Sequence, residues 1–181
     1  MLEKFKAAAS YIQDITELKP TVGIILGTGL GGLVKEIEIQ HEIAYGDIPH
    51  FPVSTVKGHS GKLIFGNLGG KSVVAMQGRF HYYEGYSLQE VTFPVRVMKF
   101  LGIKNLFVSN ASGGVNEAFE IGEIMILNDH IDLFPGNPLI GKNYEELGPR
   151  FPDMSEPYSH LLIEKAKEIA SKHNIKISQG V

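Results

Sequence analysis

The order of apolar and polar positions predicts both helices and strands. Apolar side chains recur at helical spacing from Leu2 to Leu18, so this stretch is predicted to be an amphipathic helix that stops before Pro20. The continuous apolar run from Val22 to Leu26 predicts a strand covered on both faces. From Glu36 onward apolar and polar residues alternate, which is typical of a strand with one face in water.

A second helix is predicted from Ser87 to Leu101. Ser87 stands at the N-cap position, Glu90 three residues later completes a capping box, and Gly102 follows as a terminator. Strands and helices are mixed without strict alternation, which indicates an α/β sandwich with a mixed sheet. The other predicted elements are strands at Lys62–Leu68, Ser72–Met76, Asn105–Ser109, Glu123–Leu127 and Ile175–Ser178, and a helix at Pro157–His173 capped by Glu156 or Ser155.

Composition narrows the class of protein. A length of 181 residues favours a single domain spanning 1–181, and a net charge of -3 shows no basic field for nucleic acid or an anionic membrane. With 0 cysteines there are no disulfides or thiolate sites. The N-terminal segment lacks the apolar core of a secretory signal, and no apolar run reaches the about 20 residues of a membrane span. We therefore expect a soluble, cytoplasmic protein.

The glycine-rich stretch GIILGTGLGGL at residues 23–33 matches a dinucleotide-binding fingerprint through Gly27, Gly29 and Gly32. That fold needs a crossover helix after the glycines, and the next strand pattern begins too soon, at Glu36, to leave room for one. A nicotinamide or flavin site is therefore disfavoured. Two interpretations stay open for this segment. It either presents backbone N–H groups and the Thr28 hydroxyl to an anion, or it is only a tight turn.

A dense polar cluster follows the strand that ends near Met76. Arg79, His81 and Tyr83 alternate, so an extended chain would place all three on one side, and Glu84 is near enough to orient the imidazole. Arginine favours phosphate because its planar fork offers parallel donors. The alternative is an ordinary solvated strand end. No third metal ligand stands at a recognisable spacing, so we expect no metal site.

Two further polar turns are candidates for ligand contact. Asn110 and Ala111 follow a predicted strand within a run of small residues, where a ligand can approach the backbone. His59 lies in the turn KGHSG at residues 57–61, where it is either a ligand contact or an ordinary loop histidine.

Taken together, these segments resemble the trimeric, inosine/guanosine-type family of purine nucleoside phosphorylases, within the nucleoside phosphorylase superfamily. The resemblance runs from end to end, and its most specific stretches are GRFHYYEGY and the pair GNPL and RFPDMS. The matching segments are LGTGLGGL (26–33), KGHSGK (57–62), MQGRFHYYEGY (76–86), FPVRVMKFLG (93–102), SNASGGVN (109–116), ILNDHI (126–131), GNPLIGKN (136–143) and PRFPDMS (149–155).

The resemblance implies a role for each candidate residue. His81 and Glu84 would be catalytic, with Glu84 orienting the imidazole beside phosphate and ribose. The implied phosphate contacts are Thr28, His59, Arg79 and Ala111, the implied ribose contacts are Tyr83, His81 and a Phe151 supplied by a neighbouring subunit, and Asn110 and Ala111 would line the base side.

The implied fold is a three-layer α/β/α sandwich whose central sheet is mixed and partly barrel-like. The implied reaction is phosphorolysis of purine ribonucleosides or deoxyribonucleosides such as inosine and guanosine, in purine salvage. The enzyme would be a pentosyltransferase and homotrimer that uses inorganic phosphate as co-substrate and needs no cofactor. No protein nucleophile is required, since bound phosphate both attacks C1′ and stabilises its developing positive charge.

Family members continue beyond the length of this chain, and their further residues grip the purine. We therefore expect the C-terminal part of the fold to be absent and the 181-residue chain to be weakly active or inactive. The alternatives are a methylthioadenosine phosphorylase, which shares the fold and chemistry, and a non-catalytic fragment that binds phosphate or nucleoside.

Overall fold

The structure is a computed structural model that describes residues 1–27, 29–53 and 61–181. The chain divides into two compact units, one made of residues 1–111 with 136–147, the other of residues 112–135 with 148–181. Among the helices of these described ranges, none has the length and hydropathy needed to cross a bilayer.

A mixed sheet forms the centre of the first unit, as the sequence predicted. Its five strands follow the order β2-β3-β4-β1-β5. Strand β1 runs parallel to both of its neighbours, β4 and β5, whereas β2, β3 and β4 pair in antiparallel fashion. The strands are β1 (Val22–Ile25), β2 (Glu38–Ala44), β3 (Lys62–Leu68), β4 (Lys71–Gln77) and β5 (Asn105–Val108).

The segment between β1 and β2 excludes a dinucleotide-binding unit. Residues Gly31–Glu36 form a short 3₁₀ helix, and β2 starts at Glu38 rather than at the predicted Glu36. Asp47, at the spacing where a ribose-binding acid would stand, lies in another 3₁₀ turn, Tyr45–Asp47, instead of at a strand end.

The helix predicted at Ser87–Leu101 is two helices. They are α2 (Leu88–Val91) and α3 (Phe93–Phe100), separated at Thr92. Pro94 explains the break, because proline has no N–H for the preceding turn and its ring crowds the carbonyl four residues back. The predicted Ser87 cap is present, and Gly102 ends the segment with φ of 94°.

The first helix, α1 (Leu2–Ile15), is shorter than predicted because Thr16 is extended and its Oγ1 accepts a hydrogen bond from the Leu18 N–H. Its buried face packs with α3 and one side of the sheet. The main core consists of fully or nearly fully buried apolar residues, among them Phe5, Ile12, Tyr45, Leu63, Phe65, Val74, Met76, Phe80, Phe93 and Val97.

The second unit contains two strands and one helix in regular structure. Strands β6 (Ile124–Leu127) and β7 (Ile177–Gly180) pair in parallel, and α4 (His160–Lys172) precedes β7. The predicted caps Glu156 and Ser155 were wrong, since the Ser159 hydroxyl accepts from the Leu162 N–H. β7 begins later than predicted because the α4 terminus continues through a bond from Ile175 N–H to the Ala170 carbonyl.

The capping box at the start of α2 generates a stability prediction. Ser87 Oγ accepts from Glu90 N–H at 3.3 Å, and Glu90 Oε2 accepts from Ser87 N–H at 2.7 Å. We expect Ser87→Ala to lower the free energy of unfolding by about 1 kcal/mol at neutral pH, measured by urea denaturation. Ser112→Ala is the control, because within the described ranges that exposed hydroxyl makes a single hydrogen bond, to the carbonyl of its neighbour Gly113.

The same pair predicts a pH dependence. Hydrogen bonds from the Ser87 side chain and backbone lower the pKa of Glu90 below its ordinary value of 4.5. A lowered folded-state pKa contributes stability that is present above pH 4.5 and is lost as pH falls through the folded value. The difference between wild type and Ser87→Ala should therefore shrink in acid, and a difference that grew below that pH would contradict the assignment.

Candidate active site

Three polar segments of the first unit meet at one edge of the sheet. Strand β1 pairs in parallel with β4 and β5, with Ile25 opposite both Met76 and Val108. Parallel strands bring their carboxyl ends to the same edge, so the residues that follow these strands become neighbours. The glycine turn after β1, the polar cluster after β4 and the residues after β5 therefore share one location.

Arg79 joins two of these strand ends. Its Nη1 donates to the backbone carbonyl of Ser109 at 2.8 Å, and its Nε donates to His81 Nε2 at 3.1 Å. Among the described residues, these two bonds are the hydrogen bonds that Arg79 makes. Because a guanidinium carries five N–H donors, three remain for a ligand or for other partners.

His81 is held from both sides of its ring. Its Nδ1 lies 2.6 Å from Glu84 Oε1, and the same carboxylate oxygen accepts from the His81 backbone N–H at 3.0 Å. The Glu84 side chain is only 8% exposed. Since Nε2 accepts a hydrogen bond from Arg79, the proton must sit on Nδ1, where it is donated to Glu84.

The polar cluster was predicted from its period-two spacing to continue the extended strand, and this prediction was wrong. Strand β4 ends at Gln77, Gly78 has φ of 91°, and Tyr82–Glu84 form a 3₁₀ turn. His81 and Tyr83 nevertheless lie side by side, with ring centroids 4.8 Å apart and planes 22° apart. The turn therefore produces the clustering that had been attributed to an extended chain.

A buried aromatic residue anchors this turn. Phe80, between Arg79 and His81, is 4% exposed and packs with its ring centroid 5.2 Å from that of Tyr45. The Tyr45 hydroxyl donates to the Gly78 carbonyl at 2.6 Å, and burial raises the pKa of this phenol. The loop is thus tied to the core on both sides of Arg79.

Ser109 is a contact that sequence reasoning did not single out. In the sequence it stands at the end of a predicted strand and in the segment SNASGGVN without a role of its own, yet its carbonyl accepts from Arg79 and its hydroxyl accepts from Gly27 N–H at 3.2 Å. A serine at a strand end carries no special pattern in a single sequence. Only the pairing of β1 with β5 shows what it contacts.

The other candidate residues have no described hydrogen bond to Arg79, His81 or Glu84, and two of them are not described by the structure. Asn110 is exposed and donates to the Ala111 carbonyl at 3.4 Å, directly after the Ser109 contact. Phe151 belongs to the second unit and is 88% exposed. Thr28 and His59 lie outside the described residues. Within the described ranges, no group of three His, Asp or Glu side chains could hold a metal ion.

Comparison with known proteins now identifies the family. The sequence model of the phosphorylase superfamily matches residues 21–181. The chain belongs to the phosphorylase superfamily. The resemblance inferred from the polar segments is thereby confirmed, and the mixed sheet with its helices is a nucleoside phosphorylase fold.

Individual members of the superfamily are similar over nearly the whole chain. Purine nucleoside phosphorylase 1 of Geobacillus stearothermophilus is 56% identical over 174 residues, which is 96% of this chain and 64% of that relative. The enzyme of the same name from Bacillus subtilis is 53% identical over 181 residues, or 100% of this chain and 67% of that relative. The chain thus spans about two thirds of their length.

Solved structures of purine nucleoside phosphorylases are similar to this chain in fold as well as in sequence. The Schistosoma mansoni purine nucleoside phosphorylase in complex with inosine is 47% identical, with a TM-score of 0.92 over 99% of this chain and 64% of that one. A purine nucleoside phosphorylase in complex with ribose-1-phosphate has a TM-score of 0.94 at 47% identity, over 99% and 68% of the two chains. These phosphorylase relatives do not favour a methylthioadenosine phosphorylase.

The contacts of His81 predict its tautomer. We expect nitrogen-15 spectra at mildly alkaline pH to show the proton of the neutral ring on Nδ1, because Glu84 accepts it and Arg79 occupies Nε2. Glu84→Ala should shift the ring toward the Nε2-protonated form that free histidine prefers. His41→Ala, a change at an exposed position of β2 on the far edge of the same sheet, should leave the His81 signals unchanged. A dominant Nε2-protonated form in the unmodified chain would contradict the assignment.

Proposed function

We propose that the protein is a purine nucleoside phosphorylase. A phosphate oxygen attacks C1′ of the nucleoside, the bond from C1′ to the purine nitrogen breaks, and its electron pair leaves with the base, which takes up a proton. The products are free base and ribose 1-phosphate or its deoxy analogue. The identity of 56% and 53% between this chain and the two named bacterial relatives, over nearly all of its length, supports the proposal.

The observation that carries the proposal is the fixed orientation of Arg79. Two of its donors are engaged by Ser109 and His81, so its planar fork is held at the edge where three strand ends meet. Arginine recognises phosphate through parallel N–H groups, and a fork that is already oriented loses less entropy when the anion binds. The net charge of -3 makes such a local donor set necessary for anion binding.

The remaining roles follow from the same proposal. Glu84 holds the His81 ring beside the phosphate and ribose, and Tyr83, stacked on that ring and 82% exposed, meets the ribose. Further proposed contacts are Thr28, His59 and Ala111 to phosphate, Asn110 with Ala111 on the base side, and Phe151 to the ribose of a neighbouring subunit.

Catalysis on this proposal is electrostatic. Breaking the glycosidic bond leaves positive charge on the sugar, and a phosphate dianion held under C1′ both stabilises that charge and supplies the nucleophile. The protein's part is to bind and align the phosphate and to orient the ribose. We propose that no cofactor other than inorganic phosphate as co-substrate takes part.

The wider organisation is proposed on the same basis. We propose that residues 1–181 form one nucleoside phosphorylase domain, that the complete fold is a three-layer α/β/α sandwich with a partly barrel-like sheet, and that the protein works in the cytoplasm as a homotrimer. Neither nucleic acid nor membrane is a proposed partner. The exposed Phe151 is consistent with a residue that is covered by another subunit.

Phosphate binding is the direct test. We expect Arg79→Gln to weaken the affinity for inorganic phosphate at least about tenfold in calorimetry, because a charge-assisted bidentate contact is lost. Lys71→Gln removes the same charge from an exposed position in the β3–β4 hairpin and should leave the affinity unchanged. Equal losses in both variants, or phosphate binding that ignores Arg79, would contradict the proposed site.

A product assay distinguishes the candidate reactions. With inosine, we expect hypoxanthine release that requires phosphate and is accompanied by ribose 1-phosphate, weak or absent for the 181-residue chain and strong for a chain extended to the length of the relatives. Release without phosphate would point to hydrolysis, and a preference for methylthioadenosine would point to the related phosphorylase. Binding of phosphate and nucleoside without turnover would indicate a non-catalytic binding module.

A further inference from the structure

The hydrogen-bond ladder between β1 and β5 changes its pattern where the active site begins. Ile25 lies opposite Val108, and the Ser109 N–H donates to the Ile25 carbonyl at 3.0 Å. In a regular parallel ladder the next bond would run from the Gly27 N–H to the Ser109 carbonyl. Here the Gly27 N–H donates to Ser109 Oγ instead, at 3.2 Å.

The Ser109 carbonyl, which the Gly27 N–H does not use, has another hydrogen-bond partner. The Ser109 backbone oxygen accepts from Arg79 Nη1 at 2.8 Å, the shorter of the two hydrogen bonds described for that guanidinium. One residue thus supplies two acceptors in different directions, its hydroxyl toward the β1 turn and its carbonyl toward the arginine.

The orientation of the hydroxyl is itself fixed. Ser109 Oγ lies 3.2 Å from the Ile25 carbonyl, to which it donates its hydrogen. A hydroxyl has one donor and two acceptor lone pairs, so donation to Ile25 leaves a lone pair available for the Gly27 N–H. The side chain is half-buried, where an unpaired amide would be destabilising.

Gly27 allows the two backbones to approach this closely. A Cβ at that position would lie 2.5 Å from the Ser109 carbonyl oxygen and 2.7 Å from Asn110 Cα. Both contacts are to backbone atoms, which cannot move aside as the end of a flexible side chain can. The glycine is therefore needed for packing against β5 at this point.

We propose that Ser109 is a positioning residue for phosphate binding. Its hydroxyl replaces its own carbonyl as the acceptor for Gly27, and this leaves the carbonyl to hold Arg79. The consequence for phosphate rests on the proposed function, whereas the hydrogen-bond exchange itself does not. Without the hydroxyl, the Gly27 N–H either loses its acceptor, which destabilises the turn after β1, or competes with Arg79 for the Ser109 carbonyl, which weakens the hold on the guanidinium.

Two variants of nearly equal shape isolate the hydroxyl. Ser109→Thr keeps it, and Ser109→Val replaces it with a methyl group, so that steric effects of branching are common to both. We expect the Val variant to raise the amide hydrogen-exchange rate of Gly27 about fivefold relative to the Thr variant, as loss of one hydrogen bond predicts. The Nε resonance of Arg79 should shift in the Val variant and stay near its original position in the Thr variant.

Phosphate affinity is measured on the same proteins. The Val variant should bind inorganic phosphate about fivefold more weakly than the Thr variant. Ser112→Ala, which removes a nearby exposed hydroxyl, should match the unmodified chain. If branching at this position prevents folding, Ser109→Ala compared with the unmodified chain gives the same readouts.

The outcomes separate the two proposals. If the unmodified chain binds no phosphate, the proposed function fails, and the exchange and Arg79 measurements still decide the role of Ser109. Equal Gly27 exchange in the Thr and Val variants would overturn that role. A faster Gly27 exchange with unchanged Arg79 resonances and unchanged phosphate affinity would also overturn it, because the hydroxyl would then serve only the turn.

Discussion

The parallel pairing of β1 with β4 on one side and β5 on the other is the constraint on which the candidate site depends. It brings three strand ends to one edge, although the residues that follow them are far apart in the sequence. The Arg79 bond to the Ser109 carbonyl crosses between two of those ends and spans 30 positions of sequence. The position of β1 between β4 and β5 allows both hydrogen bonds to form, the one from the Gly27 N–H to the Ser109 hydroxyl and the one from Arg79 to the Ser109 carbonyl.

The polar turn after β4 is anchored to the core because buried residues alternate along it with the polar residues of the site. Phe80 is buried between two polar site residues, and the Tyr45 hydroxyl holds the carbonyl of Gly78. The site edge therefore rests on the aromatic core of the same unit rather than on a free loop. Preorganisation of this kind matters for a reaction whose catalysis comes from positioning and charge.

Local elements were predictable where the sequence carries a local cause. The capping box at Ser87, the mixed sheet and the lack of room for an α-helical crossover between β1 and β2 followed from spacing and residue type. The break at Thr92 was missed even though Pro94 is its cause, because the apolar period continues across it. The late start of β7 depends on a helix-terminal bond that the apolar pattern does not show.

The sequence allowed several residues of the site to be predicted, but not the backbone geometry that brings them together. Arg79, His81 and Glu84 could be proposed from their density in a short stretch, and the structure joins them by hydrogen bonds. Their clustering arises from a 3₁₀ turn rather than from the extended strand that the spacing suggested. Ser109 could not be found, because its role depends on a strand pairing between positions 82 residues apart.

The central claim is that Arg79 is held in advance, by Ser109 and His81, as the anion donor of this site. A crystal structure of the chain grown in inorganic phosphate tests this most directly. We expect a phosphate within hydrogen-bonding distance of the Arg79 guanidinium, with the bond to the Ser109 carbonyl and the contact between His81 and Glu84 still in place. A phosphate bound elsewhere, or an Arg79 that leaves Ser109 to reach the anion, would contradict it.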